Sequence, residues 1–240
     1  MLRPILCLAM FTTLALPQSA LAAPGMGDEV YGAEIETGKV ELESRYGALA
    51  GGPADGEDAL KLEAAYSVND RLRVAALGEF EHTPGSARKA TAMGIEAIYR
   101  LGKVGDVSVA LYGEYEVAFD GADKVETKLI LQRRKGPLDL RFNLIAEKPL
   151  DSHAPVELGY AASADYRVIG DVSLGARAFG ELGTFNRAFP YAEHYVGPVA
   201  KVEFEPFGQE IELEAGYLFA VGKARQDTKG QVRVMLGVEF

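Results

Sequence analysis

The ten residues Gln231–Phe240 alternate without a break. Val232, Val234, Leu236, Val238 and Phe240 fall on one face, and Gln231, Arg233, Met235, Gly237 and Glu239 on the other. Successive side chains of an extended strand point to opposite faces, so this period-2 pattern specifies a strand with one apolar and one polar face. Alone, such a strand suits the half-buried sheet of a soluble β-protein equally well. The fold is constrained because the same alternation recurs about a dozen times. Its cleanest instance sets Val107, Val109, Leu111, Gly113, Tyr115, Val117 and Phe119 against Ser108, Ala110, Tyr112, Glu114, Glu116 and Ala118.

Taken in order, the alternation predicts strands over residues 33–46, 60–68, 72–80, 91–101, 107–119, 125–131, 138–146, 156–168, 172–178, 196–204, 211–219 and 231–240. Residues 23–31 read as a short periplasmic lead-in. In the first strand the apolar face switches from odd to even positions at Gly38, which reads as a β-bulge. Connections near 51–57, 82–89, 149–155, 183–193 and 222–230 are long, whereas those near 69–70, 134–137, 169–171 and 206–209 are tight. Twelve strands, an even number, return both ends to one side, and long and short connections then fall on opposite sides.

The first residues carry one positive charge at Arg3, an apolar run and small residues at Ala20 and Ala22. This reads as a secretory signal peptide, residues 1–22, cleaved at an A-x-A site and followed by one domain over 23–240. Cys7 lies inside that segment, so neither a disulfide nor a thiolate ligand is expected afterwards. No stretch approaches the roughly 18 consecutive apolar residues of a membrane-spanning helix. The formal net charge is -10, and loss of Arg3 with no acid makes it about -11. Such acidity disfavours nucleic acid as a partner.

The closing strand with its terminal aromatic Phe240 resembles that of Gram-negative outer-membrane β-barrels, and the whole of 23–240 resembles their small porin or transporter type. The resemblance implies an all-β fold, a closed antiparallel up-and-down transmembrane barrel in the outer membrane. It also implies lipid around the wall and Phe240 as the signal read by the outer-membrane assembly machinery. Outward aromatics agree. Tyr66, Tyr99, Tyr166, Phe204 and Phe240 fall at one end of their strands and Tyr46, Phe80, Phe119, Tyr160 and Phe219 toward the other, forming two girdles that a soluble sandwich has no reason to build.

In lipid the charged face must be the lumen. The candidate lining residues are Glu41, Glu43, Lys61, Glu63, Arg73, Glu79, Glu96, Glu114, Glu116, Lys128, Arg141, Arg177, Lys201, Glu203, Glu212, Glu214 and Arg233. They predict a narrow, acid-lined, weakly cation-preferring passage for small hydrophilic solutes, with inward Gly94, Gly159, Gly175, Gly216 and Gly237 leaving volume unfilled. Twelve strands lie between barrels filled by side chains and barrels with an aqueous pore, so a plugged structural barrel is the alternative. A third reading is a hydrolase with an active site at the rim, as in outer-membrane phospholipases, which the chain resembles in strand number, and in outer-membrane proteases. His82, His153 and His194 lie toward that rim, but no serine or carboxylate spacing singles out a partner. No catalytic residue, metal ligand set or cofactor motif is expected.

Overall fold

In a computed structural model describing residues 23–240, the alternating segments form twelve antiparallel strands in one sheet. They are β1 (Val40–Ala50), β2 (Asp58–Asn69), β3 (Leu72–His82), β4 (Lys89–Val104), β5 (Val107–Ala118), β6 (Lys124–Lys135), β7 (Leu138–Pro149), β8 (Glu157–Ile169), β9 (Val172–Thr184), β10 (Glu193–Phe204), β11 (Glu210–Gly222) and β12 (Gly230–Glu239). Arg187–Ala188 adds a two-residue ribbon against the end of β9. β12 pairs back onto β1, from Glu41 opposite Glu239 to Ala50 opposite Gly230. Closure removes the sheet edges, which in hydrocarbon would leave backbone groups unpaired at several kcal/mol each. The signal-peptide reading of residues 1–22 lies outside the described residues.

The burial pattern inverts that of a soluble protein. Leu42, Leu62, Ile95, Leu111, Leu129, Leu174 and Leu236 are exposed on the outer face, while Arg45 and Glu214, each 2% exposed, lie inside. Only a sheet whose outer face meets lipid is stable this way round. Two-residue turns join Val104 to Val107, Lys135 to Leu138 and Ile169 to Val172, all at one rim. Gly136, with φ 59°, supplies the left-handed backbone that such primed turns require. At the β2–β3 turn, Asn69 Oδ1 accepts from the amides of Arg71 and Leu72, and a bulge at Val68 sets Lys61 opposite Glu79.

The chain's beginning departs from the sequence reading. The first strand starts at Val40, not at residue 33, and residues 23–31 are not a periplasmic lead-in, because the whole of 23–37 lies inside the barrel. In chain order they descend through the lumen from the rim of long loops, where Met26 packs with Leu49, to the rim of tight turns. Gly38, with φ 83°, turns the chain there, its amide donating to Ser67 O at 2.7 Å. The switch of apolar face at Gly38 therefore marks a reversal out of the lumen, not a bulge. Below, Glu34 meets Lys103 and Arg134 beside the tight turns. Above, the segment packs into an apolar cluster where Met26 and Val30 join Leu49, Phe179, Tyr195 and Leu218. A second cluster lower down joins Tyr31, Ala33 and Ile35 to Ile98, Tyr112 and Ile130.

The inward glycines do not leave open volume. A Cβ at Gly94 would lie 3.1 Å from Glu114 Oε1, and one at Gly216 would lie 2.5 Å from Val199 Cγ1. Long neighbouring side chains already fill those positions.

Candidate functional site

The lumen is built around the segment that occupies it. Five wall side chains bind its main chain. Gln231 Nε2 donates to Pro24 O at 2.9 Å, and Arg233 donates to Gly25 O at 3.2 Å and Asp28 O at 3.0 Å. Arg141 donates to Val30 O at 3.2 Å, and Gln132 Oε1 accepts from Ala33 N at 2.8 Å. Asn143 does both, accepting from Tyr31 N at 2.8 Å and donating to Tyr31 O at 3.0 Å. Gln231 and Arg233 lie on β12, Gln132 on β6, Arg141 and Asn143 on β7. In a twelve-strand ring these are nearly opposite walls, so the segment crosses the lumen as it descends.

Segment side chains reach the remaining wall. Asp28 faces Lys61 at 3.9 Å and Glu29 faces Arg45 at 3.8 Å. Tyr31, 3% exposed, stacks on Tyr112 with ring centroids 5.0 Å apart, and Lys128 Nζ stands 4.6 Å from the Tyr31 ring. Its hydroxyl donates to Glu96 Oε2 at 2.9 Å and accepts from Arg45 Nη1 at 3.2 Å. Strands β1 and β4 thus deliver a guanidinium and a carboxylate to a single buried phenol.

The sequence-derived candidates lie on the inner face as paired charges. Arg73 bridges Glu63 at 2.6 Å, Glu41 at 2.9 Å and Glu96 at 3.0 Å. Arg45 pairs with Glu43 at 2.8 Å and with Glu63. Lys61 pairs with Glu79, Lys124 with Glu116 at 3.1 Å, and Lys128 with Glu126 at 2.9 Å. Glu114 accepts from the Tyr112 hydroxyl. Across the lumen, Arg177 joins Asp165 at 2.8 Å to Glu214, which Arg233 also holds at 3.0 Å. Arg141 pairs with Asp139 at 3.2 Å. Glu203 stands opposite Glu212, and Lys201 compensates this like-charge pair by reaching both, at 2.7 and 3.2 Å. Opposed like charges destabilise a sheet, so that lysine is needed where it stands. Among the candidates, carboxylates crowd β1 to β5, whereas Arg141, Arg177, Lys201 and Arg233 lie on β7, β9, β10 and β12.

Sequence reasoning missed Asp28, Glu29, Tyr31, Gln132, Asn143 and Gln231 as parts of the site. A signal was present, since uncharged amides and apolar groups on an otherwise charged face call for a partner other than water. Of the histidines, His82 Nδ1 lies 3.0 Å from Asp58 Oδ2, His194 Nδ1 lies 3.4 Å from the Tyr160 hydroxyl, and His153 is exposed in the β7–β8 loop. Glu79, Glu114 and Glu116 bring carboxylate oxygens within 4.8 Å of one another, with Lys61 and Lys124 paired to two of them. The polar cavity between Glu29, Arg177, Lys201, Glu212 and Arg233 has only about 20 Å³, room for one water.

No protein-family model matches the chain, and no curated protein matches it in sequence. Its fold is nevertheless shared with solved outer-membrane barrels. It is similar to the NanC porin, with a TM-score of 0.57 and 11% identity over 83% of this chain and 98% of that one. It is similar to the COG4313 outer membrane channel from Pseudomonas putida F1, with a TM-score of 0.57 and 13% identity over 85% and 96%. The KdgM porin, solved also in complex with disordered oligogalacturonate, aligns with a TM-score of 0.53 and 12% identity over 83% and 98%. The chain therefore has the architecture of outer-membrane porins, a closed twelve-strand antiparallel barrel.

Proposed function

We propose that this barrel is an outer-membrane channel for small hydrophilic solutes, narrow and acid-biased, that stands closed while residues 23–37 occupy its lumen. One observation carries the reading. The barrel encloses an entire extended chain in addition to its own inward side chains, and within the wall that chain is held by hydrogen bonds, ion pairs and packing alone. Were it displaced, a polar-walled path of a polypeptide's cross-section would remain. The likeness to porins and channels supports a transport role in the same direction.

The excess of inward carboxylates favours cations, and weakly. Residues 23–38 contain Asp28, Glu29, Glu34 and Glu36 and no basic side chain, so with the Ala23 amine freed by cleavage their displacement takes a net charge of about -3 out of the lumen. Changing Glu203, Glu205, Glu210 and Glu212 together to Gln lowers the cation-to-anion permeability ratio, read from reversal potentials at low salt, with the barrel still folded. Screening shortens the reach of each charge to about 3 Å at 1 M salt and erases the difference there. Anion preference untouched by the four changes would contradict this charge balance.

A second reading, a permanently plugged structural barrel, is favoured by the small cavity beside Glu29 and wins if no condition yields conductance. A rim hydrolase has less support, because among the described residues His82 pairs with Asp58 and His194 with Tyr160, neither through a serine. Export through cleavage after Ala22 and recognition of Phe240 during assembly complete the proposal. Phe240 lies at the closing seam, its amide donating to Val40 O at 2.9 Å.

A further inference from the structure

We infer that the inner wall is a receptor for extended peptide main chains, and that short extended peptides are the solute class of the channel. The inference rests on the channel reading above. Gln132, Arg141, Asn143, Gln231 and Arg233 make seven hydrogen bonds to residues 23–37, and every one goes to a main-chain N–H or C=O. Asn143 offers Tyr31 an acceptor and a donor together, the pairing a neighbouring β-strand would offer. Main-chain groups are common to all peptides, so a track that reads them accepts other sequences.

The track is also held from behind. Asp139 accepts from Gln132 Nε2 at 3.0 Å and from Arg141 at 3.2 Å, and Glu214 accepts from Arg233 at 3.0 Å. These carboxylates belong to the wall, so the donors keep their orientation when the segment leaves, and binding pays less for ordering them.

An independent observation comes from Gln231. Its side chain is fully buried, its Nε2 holds Pro24 O, and its Oε1 has no hydrogen-bond partner. Asn143 satisfies both of its amide atoms on Tyr31; Gln231 cannot do so at residue 24, because proline has no N–H. The resident segment therefore leaves unused an acceptor that a peptide with an ordinary residue at that position would fill.

The test uses the full chain with a protease site inserted in the exposed Gly38 turn, folded in detergent with the segment in place and then cut. A fluorescent peptide of residues 23–37 is exchanged into the cut barrel and competed with other peptides, with anisotropy as the readout. A peptide of equal length and otherwise unrelated sequence, keeping tyrosine at the place of Tyr31 and apolar residues at those of Met26, Val30 and Ile35, competes within about tenfold of the resident sequence. N-methylation at Tyr31 and Ala33, which removes the donors to Asn143 and Gln132, weakens binding at least tenfold, as does Asn143→Leu in the barrel. The Pro24→Ala peptide binds several-fold tighter. An oligogalacturonate of similar length competes poorly. Equal binding of the N-methylated peptide, failure of the unrelated peptide, or oligogalacturonate competing better than peptides would each overturn the inference. Conductance of the same sample tests the channel separately. A cut barrel that conducts without binding unrelated peptides sinks only the peptide inference, whereas one that binds them without conducting sinks the channel reading and leaves a receptor that transports nothing.

Discussion

Tyr31→Ala is the substitution that presses hardest on the segment's hold. The ring is 3% exposed, stacks on Tyr112 at 5.0 Å and lies under the Lys128 ammonium, while its hydroxyl ties Arg45 to Glu96. Truncating a buried aromatic costs about 3–5 kcal/mol. Water can enter this polar lumen and re-solvate the charges, so the lower end, about 3 kcal/mol, applies, and it corresponds to a roughly hundredfold fall in the ratio of closed to open channel. Tyr31→Phe keeps the ring and removes only the hydroxyl. Glu96 retains Arg73 at 3.0 Å and the Tyr112 hydroxyl at 2.8 Å, so the loss is about 1 kcal/mol, or about fivefold. Single-channel recording in planar bilayers should rank open occupancy as Ala above Phe above wild type, with heat-modifiable gel mobility unchanged because the strand ladder is intact. An alanine variant that stays as closed as wild type would refute the reasoning. So would failure of the barrel to form, which would make the segment part of the folding core and not a removable occupant.

Leu111 and Leu129 stand opposite each other on the lipid face of β5 and β6. Leu111→Arg or Leu129→Arg costs about 2–4 kcal/mol near the bilayer midplane and lowers outer-membrane yield and heat-modifiable folding; unchanged yield would mean the facing is wrong. Phe240→Ala leaves the seam's backbone bonds to Val40 in place, so assembled protein falls far more than the thermal stability of protein already folded. Equal losses of both would assign Phe240 to packing.

The strands were legible because one face meets lipid and the other does not, and a period of two carries that contrast directly. The inward placement of Lys61 and Glu79 followed from the same pattern. So did the inward placement of Lys201, Glu203 and Glu212 on neighbouring strands. Residues 23–37 were not. Pro24, Gly25, Gly27 and Gly32 give them the look of a loop, and Ala33, Ile35 and Thr37 alternate as any extended chain does, whether or not it lies in a sheet. Several of their partners lie far along the chain, 112 residues for Tyr31 and Asn143, and depend on closure of the whole barrel. Local composition did hold a trace of them. Ile98, Tyr112, Ile130, Phe179 and Leu218 face a lumen lined largely by charged and polar residues, and such groups are stable there only against something apolar.

Closure by the segment can be tested by locking it to the wall and releasing it. A Cβ on Gly27 would lie 3.8 Å from the Cβ of Ala59, within the range that disulfides span, and residues 23–240 contain no cysteine. Gly27→Cys with Ala59→Cys, placed in the Tyr31→Ala background, gives one protein in two redox states. The measurement is bilayer conductance before and after adding a reductant. The oxidised barrel should be shut, and reduction should open it to the level of Tyr31→Ala alone. The same conductance in both states, with the disulfide confirmed by mass, would contradict closure by residues 23–37.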